Sequence, residues 1–207
     1  ISGGHTLELT QMTSERLILF DVGLSTKEAV IRALVDVLFE NGVLSSKEAF
    51  LQAVMEREAI SPTGLEKGLA IPHGKSKAVN RAAFAIARLS SPIKDWESID
   101  PHNEVQLVFL LAIPEAEAGM THLNVLSELS LRLMDEGYLR RLMEAKSAEE
   151  LLLALDETGT SGGDQNVTYQ KTVLAITACA TGIAHTYMAA EALEKAGREL
   201  GVRVLTE

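Results

Sequence analysis

The chain has 207 residues, 46% of them apolar and 23% charged, the balance of an ordinary globular protein. Its 29 acidic against 19 basic side chains give a net charge of −10, which argues against a general nucleic-acid surface, since that needs clustered positive charge. The longest purely apolar run, Leu107 to Ile113, is far too short to span a bilayer. No leader pattern opens the chain, and a single cysteine cannot close an internal disulfide; both point to a reducing, cytoplasmic setting.

In chain order, Ser25-Thr26-Lys27-Glu28 carries a capping-box pattern and opens a helix. The apolar positions Ala29, Val30, Ala33, Leu34, Val37 and Leu38 form one face of a 3.6-residue period, and Asn41-Gly42 ends the helix. Ser45-Ser46-Lys47-Glu48 opens a second helix, with Phe50, Leu51, Val54 and Met55 directed inward. Leu69–Ile71, Ala82–Leu89 and Val105–Ile113 read as strands, the last so apolar that it should be central in the sheet. Thr121 is expected to cap a third helix, buried through Leu126, Leu129 and Leu133, and Ser147-Ala148-Glu149-Glu150 opens a short final one. The pattern predicts an α/β fold, a mixed sheet with helices on its faces. A glycine-rich polar stretch follows from Asp156, giving a domain over residues 6–156, a linker over 157–170 and a second segment over 171–207. That segment begins with a buried strand near Thr172–Thr177, then a small-residue loop, a helix from Tyr187 and the start of another strand.

Four residues could carry chemistry. His73 sits in Gly68-Leu69-Ala70-Ile71-Pro72-His73-Gly74-Lys75, at the end of a short apolar run. Neutral imidazole keeps one nitrogen lone pair for attack on an electrophile. Pro72 fixes its own φ, and Gly74 is expected to allow backbone angles that other residues resist, so the ring should point into a loop mouth. His122 begins a helix after a glycine-containing loop, where free N–H groups suit a phosphate. Arg57, near the end of the second helix, either satisfies helix carbonyls or faces a phosphate. Cys179 stands at the mouth of the loop Ala178-Cys179-Ala180-Thr181-Gly182, before a helix, where the local field would stabilise a thiolate able to take a phosphoryl group. His102 lies in a turn-forming Asp100-Pro101-His102-Asn103 and reads as structural, Trp96 as packing, and Lys75 and Lys77 as solvated. The scattered histidines show no HExxH pattern and no ligand spacing, so no metal is expected.

Two stretches of the first segment resemble the enzyme IIA domain of the fructose/mannitol class, part of the bacterial phosphoenolpyruvate-dependent sugar phosphotransferase system. These are Arg57-Glu58-Ala59-Ile60-Ser61-Pro62-Thr63 with Leu69-Ala70-Ile71-Pro72-His73-Gly74, and Leu110-Leu111-Ala112-Ile113-Pro114 with Thr121-His122-Leu123-Asn124-Val125-Leu126. Cys179 to Glu191 resembles the phosphocysteine loop of a fructose-type enzyme IIB domain, with Ala180 where that loop usually has proline. The resemblance implies that His73 accepts a phosphoryl group from phospho-HPr through Nε2, that His122 is the second active-site histidine and Arg57 the nearby cation, and that Cys179 carries the group onward to sugar held by a membrane IIC domain. It implies no cofactor. A IIB segment ending at Glu207 buries too little surface to fold independently, so Cys179 is expected to be inactive in this fragment, with the residues after the linker either packed on the first domain or mobile.

Three other readings compete. A regulatory IIA protein of the nitrogen branch would not need a fused IIB segment. A cysteine phosphatase would use C-x5-R-[ST], but His185 stands where the arginine clamp is required. A binding module without phosphotransfer would be separated from a carrier by labelling with phospho-HPr.

Overall fold

The computed structural model describes residues 9–117, 129, 132–133, 135–156, 171–175, 193 and 202–206. The first long elements are β1 (Ile18–Val22), α1 (Lys27–Glu40), α2 (Lys47–Ile60), β2 (Leu69–Ala70) and β3 (His73–Ser76). Then come β4 (Ala83–Ile93), β5 (Val105–Pro114), α3 (Glu136–Glu144) and α4 (Ala148–Asp156). Short polar side chains set the helix starts. The Thr26 hydroxyl accepts from the Ala29 N–H and the Ser46 hydroxyl from the Ala49 N–H, each at 3.2 Å, so the first cap is Thr26 rather than Ser25. Glu28, freed from a capping box, pairs instead with Arg32 one turn on. α1 ends as expected, with Asn41 as cap and Gly42 at φ +71°.

The sheet runs β1-β4-β5-β2, with β3 also paired to β5. β1 is parallel to β4, β4 is antiparallel to β5, and β2 and β3 are both parallel to β5. β5 therefore has neighbours on both sides, as its apolar run required. Alternation along β4 and β5 divides the core in two. Ala83, Ala85 and Ala87, with Val108, Leu110 and Ala112, face α1 and α2. Phe84 and Ile86, with Leu107, Phe109 and Leu111, face Leu129, Leu133, α3 and α4. The Phe84 and Phe109 rings meet at 6.0 Å. Helices thus cover both faces of a mixed sheet.

Several local expectations shift. The buried stripe of α1 is Val30, Ile31, Leu34, Val35 and Leu38, so Ile31 and Val35 take the place of Ala29 and Ala33: the helix packs on both the sheet and α2. α2 buries Phe50 and Val54 as expected, and adds Glu58. β1 and β3 were not foreseen as strands. β1 is irregular, with Asp21 at φ +55° and a register break between Leu19 and Val22, which erases its two-residue period. β3 reads His-Gly-Lys-Ser and becomes a strand only through pairing with β5. Residues Lys171–Ala175 and Val202–Thr206 form β6 and β7, a parallel pair in register from Lys171 opposite Val202 to Ala175 opposite Thr206. The linker 157–170, the Cys179 loop and the start of the expected Thr121 helix lie outside the described residues.

Gly74 is the tightest contact between sheet and helix. A Cβ there would lie 2.7 Å from Val54 Cγ2, 3.0 Å from Phe50 Cε2 and 3.2 Å from the Val54 backbone nitrogen. Its φ is not positive, so the requirement is space and not the unusual backbone angle anticipated from the sequence. Gly68, at φ +80°, does need glycine's freedom. It is clamped by buried Asn103, whose Oδ1 accepts from the Gly68 N–H at 2.7 Å while Nδ2 donates to the Leu69 carbonyl at 3.1 Å.

Gly74→Ala should overpack the α2–β3 contact and lower stability by about 1–3 kcal/mol, measured as a reduced denaturant midpoint with unchanged slope. Asn103→Ala would strand the Gly68 N–H and take one of two donors from the Leu69 carbonyl, which keeps the Leu65 N–H; a loss of about 1–3 kcal/mol is expected in the same assay.

Candidate active site around His73

The site is built where the last turn of α2 meets the first residue of β3. Pairing of His73 with Leu111 starts β3, and the Leu111 N–H donates to the Pro72 carbonyl at 3.0 Å. The backbone on either side of the ring is therefore tied to the central strand. Contact between α2 and Gly74 then brings Arg57 alongside.

His73 is half-buried. Its Nδ1 lies 3.0 Å from the Ile71 carbonyl oxygen. Its Nε2 lies 3.0 Å from Arg57 Nε. A carbonyl oxygen can only accept, so Nδ1 carries the hydrogen; a guanidinium can only donate, so Nε2 presents its lone pair. The two contacts, made by different elements, demand the same tautomer. Arg57 is held in turn by Nη1, which donates to the Ser61 carbonyl at 3.1 Å. This arginine thus satisfies a carbonyl just beyond the helix and at the same time faces the His73 ring.

Behind this pair lies Glu58, only 6% exposed. Its Oε2 accepts from the Thr63 hydroxyl at 2.6 Å and its Oε1 from the Thr63 N–H at 3.3 Å. Lys27 Nζ stands 3.6 Å from Glu58 Oε1 and 3.3 Å from Glu97. The Thr63 carbonyl accepts from the Ile71 N–H at 2.9 Å. Sequence reasoning passed over Glu58 and Thr63. One signal was available: Phe50, Val54 and Glu58 recur every four residues, which puts a carboxylate on the buried stripe of α2, where a charge needs partners.

The other residues separate. Trp96 is 2% exposed and part of the core, as packing required. His102 is exposed in a turn where its N–H donates to Asp100 Oδ1 at 2.9 Å. Lys75 and Lys77 are exposed, Lys77 reaching only Glu115 at 4.0 Å. His122 and Cys179 lie outside the described residues, so the geometry unites His73 and Arg57 of the four residues singled out. Among the described residues, no cluster of three or more His, Cys, Asp or Glu side chains is arranged to hold a metal ion, and no helix is long and apolar enough to cross a membrane.

Comparison with known proteins matches residues 11–158 to the family model "Phosphoenolpyruvate-dependent sugar phosphotransferase system, EIIA 2" and residues 174–207 to "PTS system, Lactose/Cellobiose specific IIB subunit". The second model is described by a different sugar class from the fructose-type IIB expected on the Cys179 loop. Over 97% of this chain, the sequence is 46% identical to the 2-O-alpha-mannosyl-D-glycerate-specific EIIABC component of Escherichia coli K12 and 35% identical to the fructose-specific EIIABC component of Bacillus subtilis. The chain spans only 30% and 32% of those two proteins. Among solved structures, the nitrogen regulatory protein IIA-Ntr of Neisseria meningitidis aligns with TM-score 0.65 and 29% identity, covering 71% of this chain and 98% of that one. The IIA mannitol domain of E. coli aligns with TM-score 0.58 and 27% identity, covering 69% of this chain and 98% of that one. The chain belongs to the EIIA 2 family of the phosphoenolpyruvate-dependent sugar phosphotransferase system, and a IIB segment follows its EIIA part.

Proposed function

We propose that this protein is a phosphocarrier. His73 takes a phosphoryl group from phospho-HPr on Nε2, and a IIB cysteine, the position held by Cys179 once its IIB domain is complete, takes it next for delivery to fructose or a related sugar or glycoside held by a membrane IIC domain. The observation that carries this reading is the doubly enforced tautomer of His73, with Nε2 as lone pair.

The chemistry follows from that geometry. The Nε2 lone pair attacks phosphorus, an N–P bond forms, and the bond from phosphorus to the donor breaks with its electron pair left on the donor. The ring then carries a positive charge, and its Nδ1–H stays on the Ile71 carbonyl. No proton has to leave, so no general base is needed. A ring still protonated at Nδ1 is a good leaving group, which keeps the phosphoryl group transferable to a thiolate. Arg57 Nε occupies the lone pair in the resting site, so it must yield as phosphorus arrives. Its fork of N–H donors suits the phosphoryl oxygens it then meets. His122 is assigned the second contact to those oxygens, on the family resemblance. Positioning and charge stabilisation are what phosphoryl transfer asks of a protein.

The regulatory alternative gains weight from the IIA-Ntr likeness, but that likeness covers 71% of the chain. The sugar-specific EIIABC relatives cover 97% and extend through the Cys179 segment. The relatives' names give mannosylglycerate and fructose as substrates; in the present chain the choice of sugar is assigned to the IIC domain.

Incubation with phosphoenolpyruvate, enzyme I and HPr, followed by mass mapping, should place an acid-labile phosphate on His73. His73→Ala should abolish it, and acid-labile labelling of that variant by phospho-HPr would refute the assignment. His122→Ala and Arg57→Met should each slow labelling without eliminating it, at a cost of about 3–4 kcal/mol in the transition state. Cys179→Ser should leave the labelling of His73 intact and stop onward transfer within a complete IIB domain.

A further inference from the structure

We propose that Glu58 is a positioning residue for this transfer, setting both nitrogens of His73 through one continuous chain of hydrogen bonds. The inference rests on His73 being the phosphoryl acceptor. From the Glu58 carboxylate the chain runs to the N–H and hydroxyl of Thr63. It continues from the Thr63 carbonyl to the Ile71 N–H, and from the Ile71 carbonyl to His73 Nδ1. On the other side of the ring, Nε2 meets Arg57, the residue preceding Glu58 on α2. The circuit therefore starts and ends on one turn of helix.

Glu58 is suited to this role by its burial and its two-sided grip. Its side chain is 3% exposed, so leaving its oxygens unpaired would be costly, and both are used on a single residue. That fixes Thr63, and through it the segment leading into β2, against the end of α2. A shift of that segment would carry the Ile71 carbonyl away from Nδ1. The ring would then lose the carbonyl that holds its Nδ1 hydrogen, and the lone pair on Nε2 would be left with one of its two constraints gone. Lys27, at the start of α1, offsets the buried charge from the side away from Thr63's hydroxyl contact. It lies outside the circuit.

The test uses Glu58→Leu and Thr63→Val in the 207-residue chain, each checked for folding by circular dichroism, with Thr63→Ser as the conservative control. Glu58→Leu removes both acceptors, whereas an amide there would keep both contacts, its NH2 donating to the Thr63 hydroxyl oxygen; Thr63→Val deletes the hydroxyl. Two quantities are read: the 15N shifts of the His73 imidazole, which report its tautomer, and the rate of labelling by phospho-HPr. Both variants should convert a single Nδ1–H tautomer into a mixture and slow labelling roughly 10- to 100-fold, the scale of a small misplacement. The double variant should be no worse than the poorer single one, and Thr63→Ser should behave as the unaltered chain. Should either folded variant retain the original imidazole shifts, the role of Glu58 is overturned, whatever its labelling rate; if Glu58→Leu fails to fold, Thr63→Val alone decides. Absence of His73 labelling in the unaltered chain would instead refute the phosphocarrier reading, while the imidazole shifts would still report on the circuit.

Discussion

An imidazole is ambiguous until something outside it decides which nitrogen holds the hydrogen. Here the decision is made twice, by groups whose roles cannot be reversed: a backbone carbonyl that only accepts and a guanidinium that only donates. Neither group is near His73 by accident of local sequence. The carbonyl belongs to Ile71, two residues back across Pro72, and is held by the hydrogen bond that the same residue's N–H donates to the Thr63 carbonyl. The guanidinium arrives on a helix from the opposite side of the chain's path. Most of the surrounding structure can be understood as what keeps these two approaches in register.

Close packing is how the fold manages it. On one face of the sheet β4 carries three alanines, which let α1 and α2 lie close to the strands. At Gly74 the approach reaches its limit, with room for no Cβ against Val54. Since interiors are packed at the density of organic crystals, moving α2 outward by even a methyl group would move Arg57 with it. The other face is built from bulky pairs such as Phe84 and Phe109. It anchors the sheet from the other side. One face is thus specialised for proximity and the other for bulk burial.

The same architecture serves proteins with different tasks. The structural likeness extends to a nitrogen regulatory IIA protein and to a mannitol IIA domain alike. A fold does not by itself decide what is done with the group it carries. In this chain the distinguishing feature lies beyond the first segment, in a IIB match that continues to residue 207. In the proposed relay the transfer chemistry is assigned to the His73 site, and the destination of the phosphoryl group to the IIB segment that follows.

Much of this was legible from residue order. The central place of β5 followed from its apolar run, the start of α1 from Ser25-Thr26 to within one residue, and its end from Asn41-Gly42. These are local signals, set by hydrophobic periodicity and by the backbone chemistry of a few residue types. Local signals failed where an element exists only because of a partner. β3 is a polar tetrapeptide made into a strand by β5, and β1 lost its alternation to the backbone at Asp21. The contact between Arg57 and His73, sixteen residues apart, and the burial of Glu58 behind them needed the helix and sheet to be docked. So did the true reason for Gly74, which is the absence of a side chain rather than a rare backbone angle. The sequence by itself determined which residues could do chemistry and which neighbours flanked them. Which nitrogen carries the hydrogen was decided only by the folded structure, because a tautomer is chosen by where atoms stand in space, whether they come from two residues back or sixteen.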